Sequence, residues 1–178
     1  METRRGRTGG TFVRRPTAPH LGPLRDRLRA MTADELRDLT DEQSAVSGAA
    51  ARLAATRAST VSVRRLLALA GQLAGSATTG ARITADSRFH IEVAIASKSQ
   101  RLTVLEVALQ TKLTELLWLP AHADPVTLDL TAAAAEHTAI AAAIEAEDGS
   151  RARLLAEEHA AANLRRLTAL QRALPSHP

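Results

Sequence analysis

The stretch His137–His159, HTAIAAAIEAEDGSRARLLAEEH, decides the fold. It continues the alanine run Ala132–Ala135, and Ile140 and Ile144 carry an apolar face onward at helical spacing. Alanine and leucine are strong helix formers, so the run reads as a helix over about 127–147 and not as a low-complexity linker. Asp148-Gly149-Ser150 interrupts it, and a second helix over about 150–173 follows. So short a break makes the pair an antiparallel hairpin. His137 lies 11 residues before Asp148 and His159 lies 11 after it. In a hairpin the two therefore stand at one height, on the order of 16 Å from the turn at about 1.5 Å per residue.

The same helical reading extends toward the N-terminus. Thr32-Ala-Asp-Glu35 and Thr40-Asp-Glu-Gln43 both have the capping-box pattern, which predicts a short helix near 33–38 and a longer one near 41–57. Ser59 or Thr60 caps the next, with Val63, Leu66, Leu67, Ala70 and Leu73 on one face, until Gly75–Gly80 breaks it. A helix near 82–97, a bend at Lys98-Ser99 and a helix over about 101–118 complete the set, with Pro120 closing the region. The sequence predicts an all-α protein, an antiparallel bundle of six or seven helices.

Composition agrees. Hydrophobic residues make up 45% of the 178 positions and aromatics only 2%, so the core must be built from Leu, Ala, Val and Ile. There is no cysteine, which excludes disulfides and thiolate metal sites. No apolar run approaches the roughly 20 residues that cross a bilayer, and no secretory signal is evident; a cytoplasmic protein without membrane contact is expected. Residues 1–31 form a separate segment, rich in Gly, Pro, Thr and Arg, before the helical domain at 32–178. Eight arginines among residues 1–29 face only Glu2 and Asp26, whereas the remainder holds 15 basic and 17 acidic residues. Gly9-Gly10 before Thr11-Phe12-Val13 reads as a tight turn feeding a short strand, and Pro16, Pro19 and Pro23 as a linker that is not helical throughout.

Asp86 and His90 are four apart on a predicted helix, so they share one face a turn apart and can grip one ion. If that helix packs across the hairpin, three imidazoles and one carboxylate converge. Such a set suits Zn²⁺ first, with Ni²⁺ or another borderline divalent metal as alternatives. Surrounding Ala, Ile and Leu offer these rings no obvious hydrogen-bond partner. Helix phase is not fixed by sequence, so separate core or surface histidines remain an equal reading of the spacing. His20, His122 and His177 lie in loops or termini and read as exposed.

Asp86-Ser-Arg-Phe-His90, then His137-Thr-Ala-Ile-Ala-Ala-Ala-Ile144, then Asp148-Gly-Ser-Arg-Ala152 leading to His159, resemble the FCD domain of GntR-type transcription regulators, over roughly residues 33–173. The resemblance implies that Asp86, His90, His137 and His159 are metal ligands, with positions left open for an effector carboxylate or water. It also implies a homodimer and a small organic acid as effector. Gly6-Arg-Thr-Gly9-Gly10-Thr-Phe-Val13 is similar to the wing tip and last strand of a GntR winged helix, a short wing remnant. Arg4, Arg5 and Arg7 beside it are candidates for phosphate contacts. The family's helix-turn-helix would precede Met1, so specific DNA binding is expected only of a full-length form that carries it. Two departures bear on the effector. Gln43 stands where the family usually has Arg and Ser47 where it has Glu, and Ser99 replaces a usual Asn; Gln43 and Ser99 are candidate effector contacts.

The leading expectation is thus an effector-sensing, metal-binding regulatory domain and not an enzyme. A small metalloenzyme built on three His and one Asp, and a purely structural dimerisation module, are the alternatives. Against the enzyme, Tyr is absent, and Glu136 and Glu158, each next to a histidine, point roughly 100° away from it on their helices.

Overall fold

The computed structural model describes residues 2–3, 11–12, 21–117 and 130–174. Two strands of two residues, β1 (Glu2–Thr3) and β2 (Thr11–Phe12), pair antiparallel with Glu2 opposite Phe12. Seven helices follow: α1 (Leu21–Ala30), α2 (Ala33–Arg57), α3 (Thr60–Gly75), α4 (Thr79–Ala96), α5 (Gln100–Leu117), α6 (Leu130–Glu145) and α7 (Gly149–Ala173). The chain is an all-α bundle, as its periodicity requires.

Two elements differ from the sequence reading. Residues 33–57 form one helix, not two. Thr32 and Glu35 do close a capping box, with the Glu35 N–H donating to Thr32 Oγ1 at 3.1 Å and the Thr32 N–H to Glu35 Oε2 at 2.7 Å. Thr40, the second apparent cap, instead turns its hydroxyl back to donate to the Leu36 and Arg37 carbonyls. A threonine that bonds back inside a helix leaves the helix unbroken. The second difference is α1, in a stretch read as linker. Pro23 stands in its first turn, where a missing N–H is no loss, and Leu28 is fully buried against Leu36, Leu113, Leu116 and Leu167. Pro120 and His122 lie outside the described residues.

α2 and α7 form the most extensive pair. They run antiparallel: Gln43 meets Asn163, Gly48 meets Glu157, and Arg52 meets Gly149. Small residues set their separation. Ala50, Ala51, Ala54, Ala152, Ala156 and Phe89 belong to one buried cluster with Ile140, Ala141 and Ile144 of α6. A leucine cluster under α1 and α5 forms a second.

The α6–α7 turn is set by Glu147 and Asp148. The residue in the left-handed region is Glu147 (φ 57°), not Gly149. Asp148 donates its N–H to the Ala143 carbonyl at 3.0 Å and caps α7 by accepting the Arg151 N–H at 2.9 Å. Gly149 is the first residue of α7, and its value is space: a Cβ there would stand 3.0 Å from the Arg52 carbonyl oxygen. Glu147→Gly should therefore leave stability level or raised, because it relieves a left-handed side chain. Gly149→Val should destabilise by about 1–3 kcal/mol, because it overpacks the α2–α7 contact. Denaturant midpoints of the two variants check this; a Gly149→Val protein as stable as the wild type would refute the packing argument.

Candidate metal centre

The three histidines of the core meet at one point. α4 presents His90, α6 His137 and α7 His159, at 5%, 0% and 3% exposure. One ring nitrogen of each lies within 4.8 Å of the others. Nε2 of His90 and Nε2 of His137 are 3.2 Å apart, and Oδ1 of Asp86 is 3.7 Å from the same His137 nitrogen. The helical spacing of Asp86 and His90 and the equal distance of His137 and His159 from Asp148 thus deliver four groups to one place. The imidazoles form the tight trio and Asp86 stands at its edge.

Burial shapes their chemistry. Removal from water holds the protonation of His90 well below the usual histidine range, reinforced by His159. The same desolvation, with the charges of His90, His159 and Arg166, does so for His137. Both rings are neutral at pH 7, the state in which imidazole is a ligand. Phe89 stacks on His137 with ring centroids 4.1 Å apart and planes at 8°, which fixes the ring without supplying a polar contact. Among the described residues, Nδ1 of His137 is buried with no hydrogen-bond partner. Such an atom costs about 1–3 kcal/mol; it is the ring nitrogen other than the one that meets His90 and Asp86, so an ion held by Nε2 would not relieve it.

The donor set fits a metal. With metal–nitrogen bonds of about 2.0–2.1 Å, two ligand atoms on one ion stand roughly 3.0–3.4 Å apart; the 3.2 Å pair meets this, the 3.7 Å pair nearly does, and the three imidazole nitrogens, spread over up to 4.8 Å, would draw in on an ion. A cavity of about 10 Å³ lies between Ser47, Phe89, His90, Ile140 and His159, among others, the room for one water or one ion. Three imidazoles and a carboxylate match the preferences of Zn²⁺ and its borderline neighbours.

Not every expectation about the surroundings holds. His159 has hydrogen-bond partners, contrary to the apolar setting read from sequence. Its Nδ1 lies 2.7 Å from Glu136 Oε2 and its Nε2 lies 3.2 Å from Asn163 Nδ2. Glu136 does turn away from its neighbour His137, but toward His159 on the next helix. The signal was available: Glu136 and His159 are, within one residue, equidistant from Asp148. Gln43 is buried and accepts from Asn163 Nδ2 at 3.2 Å, one side chain removed from His159. Ser47 lines the cavity and donates to Glu106 Oε2 at 2.9 Å; a carboxylate thus reaches this spot from α5. Ser99 lies in the α4–α5 turn, where its hydroxyl accepts from the Leu102 N–H, and it is not among the residues lining the cavity. Arg4, Arg5 and Arg7 fall outside the described residues.

Comparison with known proteins now bears on this arrangement. Residues 38–162 match the FCD domain. The chain belongs to the FCD family. The FCD match spans the helices that carry all three histidines and Asp86. A protein of Mycobacterium gastri, named as an HTH-type transcriptional regulator, RmpR, is 38% identical over 164 residues, 92% of this chain. The chain spans 60% of the length of that relative. Among the described residues, no helix of this FCD protein is long and apolar enough to cross a membrane.

Glu106 gives a test of the electrostatics beside the site. It is 1% exposed, and burial raises its protonation range, partly opposed by Gln110 and Ser47, which both donate to it. A carboxyl whose folded pKa exceeds its unfolded value stabilises the fold below the unfolded value, about 4.3, and loses that contribution as pH rises through the folded one. Glu106→Gln should therefore melt higher than wild type at pH 7, with the difference shrinking toward pH 4. A variant that melts lower than wild type at pH 7 would show that the ionised carboxylate is favoured there.

Proposed function

We propose that this chain is the effector-sensing, metal-binding part of a GntR-type transcription regulator, with Asp86, His90, His137 and His159 holding one divalent ion, Zn²⁺ before Ni²⁺ or another transition metal. The observation that carries the reading is the meeting of three buried imidazoles, two of them kept neutral by burial, with one nitrogen of each within 4.8 Å of the others. Hydrophobic residues alone would fill that space at lower cost, because each buried imidazole leaves water and gains little. Family membership and the regulator name of the M. gastri relative supply the regulatory role.

The ion would anchor the carboxylate of a small organic acid by leaving a coordination position open. Gln43, behind Asn163, and Ser99 are the polar positions we assign to effector discrimination. The cavity of about 10 Å³ is too small for such an acid, whereas a second cavity of about 300 Å³ reaches His159 between Glu136, Leu155, Glu158 and Arg165 and has room for one. We read the centre as a binding site and not an enzyme's. The carboxylate nearest a histidine nitrogen, Glu136, is already engaged by His159 and Arg166 and is poorly placed to take a substrate proton.

A homodimer is the proposed working state. Ile95, Val104, Leu105 and Val107, four of the six exposed large hydrophobics among the described residues, lie on the α4–α5 hairpin, an apolar patch of the kind that marks an interface. Operator DNA is the proposed macromolecular partner, with Arg4, Arg5 and Arg7 as phosphate contacts, and a cytoplasmic site of action follows from that role.

Metal removal tests the core of this reading. Untagged protein should carry close to one equivalent of metal per chain by elemental analysis. At a free ion concentration of 100 times Kd, the fold should gain about 2.7 kcal/mol, and a chelator should lower Tm at pH 7. His137→Ala should abolish both effects. Because ligation needs neutral imidazoles, and burial keeps His90 and His137 neutral to well below the usual histidine range, the gain should outlast that range and fade only at more acid pH. A Tm that neither added Zn²⁺ nor chelator moves would end the metal reading.

A further inference from the structure

The polar groups around His159 form a closed ring. Arg166 Nη2 donates to Glu136 Oε1 at 2.8 Å, Glu136 Oε2 meets His159 Nδ1 at 2.7 Å, His159 Nε2 meets Asn163 Nδ2 at 3.2 Å, and Asn163 Oδ1 accepts from Arg166 Nη1 at 2.9 Å. We infer that Glu136, clamped by Arg166, is a positioning residue of the metal centre: it fixes the tautomer of His159 so that Nε2 keeps the lone pair, which the Asn163 amide holds in this arrangement and would hand over to an ion. The inference rests on the metal-binding reading and deepens it.

Donor and acceptor capacity settles the direction of every bond in the ring. A guanidinium can only donate, so the Asn163 atom facing Arg166 is its carbonyl oxygen, and its amide nitrogen faces His159. Gln43 Oε1, which accepts from that same nitrogen at 3.2 Å, agrees. The amide nitrogen can only donate, so His159 Nε2 is an acceptor. With its one lone pair turned to the Asn163 amide, His159 carries its hydrogen on Nδ1, which faces Glu136 Oε2 at 2.7 Å. Two independent partners, on opposite sides of the ring, thus select one tautomer.

Carboxylate support of this kind raises the basicity of the ligating nitrogen and fixes the ring plane, and its loss typically costs a metal site 10–100-fold in affinity. Glu136→Gln is the informative change. A glutamine has one oxygen where the carboxylate has two, so it cannot serve both Arg166 and His159. Glu136 is about a third exposed, and the fold should tolerate the swap. Glu158, exposed and adjacent to His159 in sequence, is the control for a general loss of negative charge.

The experiment has two arms. Long-range proton–nitrogen NMR on the metal-free protein reads the tautomer directly: the Nδ1–H form at His159 is expected in wild type and Glu158→Gln, with the Nε2–H form rising in Glu136→Gln. Competition with a chelating dye reads Zn²⁺ affinity, expected to fall about 10–100-fold in Glu136→Gln and to be unchanged in Glu158→Gln. An Nε2–H tautomer in wild type, or equal Zn²⁺ affinity in Glu136→Gln and wild type, would overturn the inference. If the wild type binds no Zn²⁺ yet shows the Glu136-dependent Nδ1–H tautomer, the metal reading alone falls and the assignment of Glu136 to His159 stands.

Discussion

The close approach of helices through small side chains is the constraint on which this protein is built. α2 can lie along α7 because Gly149 meets the Arg52 carbonyl and Gly48 meets the Glu157 stem, with Ala50, Ala54, Ala152 and Ala156 filling the buried cluster between them. Ala141 and Ala143 do the same for α6. A core of larger residues would hold these helices farther apart. The histidines of α4, α6 and α7 could then not bring their nitrogens within 4.8 Å of one another. The low aromatic content is thus tied to the site: Phe89 is the large ring the core retains next to it, and it is used as the plate against which His137 stacks.

Packing alone leaves the rings electrostatically unsettled, and the three are treated differently. His90 and His137 lie deep among apolar neighbours, and burial suppresses their protonation. His159, buried to the same degree, has partners on both nitrogens. Its carboxylate partner is itself paired with Arg166, so the charge introduced at Glu136 is balanced within a few ångströms. The centre therefore combines two rings whose orientation is set by shape with one whose orientation is set by hydrogen bonds. A shape-set ring such as His137 can carry an unpartnered nitrogen; the hydrogen-bonded ring cannot change tautomer without breaking two contacts.

How much of this was legible in the sequence follows from the range of the interactions involved. The hairpin symmetry about Asp148 and the four-residue spacing of Asp86 and His90 are local; alone they leave separate histidines an equal reading, and the resemblance is what singles out the four as metal candidates. The capping box at Thr32 is local too, and it formed. The misreadings are places where distant packing overrides a local signal. Thr40 has a cap's sequence context, but Leu36 and Gln43 on either side of it are buried in a continuous α2, so its hydroxyl serves the helix instead. α1 carries Pro23 and three arginines, which argue for a linker, and it is held by the burial of Leu28 against leucines up to 139 positions away. Glu136 was judged only against its own helix; its partner is on the next one, and a comparison of distances from the turn would have paired them.

The departures from the family's polar pattern are best understood as a relocation of charge. The resemblance expects an arginine near Gln43 and a glutamate at Ser47. The bundle instead pairs the Ser47 hydroxyl with Glu106 of α5, and Gln43 with Asn163 of α7. A carboxylate is thus retained close to the cavity while the guanidinium is exchanged for a neutral amide. An anion entering beside His159 would lose an attractive fork and would still face the Glu106 charge whenever that group is ionised. Burial opposes that ionisation. A neutral Glu106 can offer a hydrogen instead of a charge, so the same residue that would repel an acid in its ionised form can bind one in its protonated form. Under the proposed reading, discrimination at this edge of the cavity then rests on hydrogen-bond geometry through Ser47, Gln110 and Glu106 more than on net charge, while the ion held by the histidines supplies the attraction for the acid.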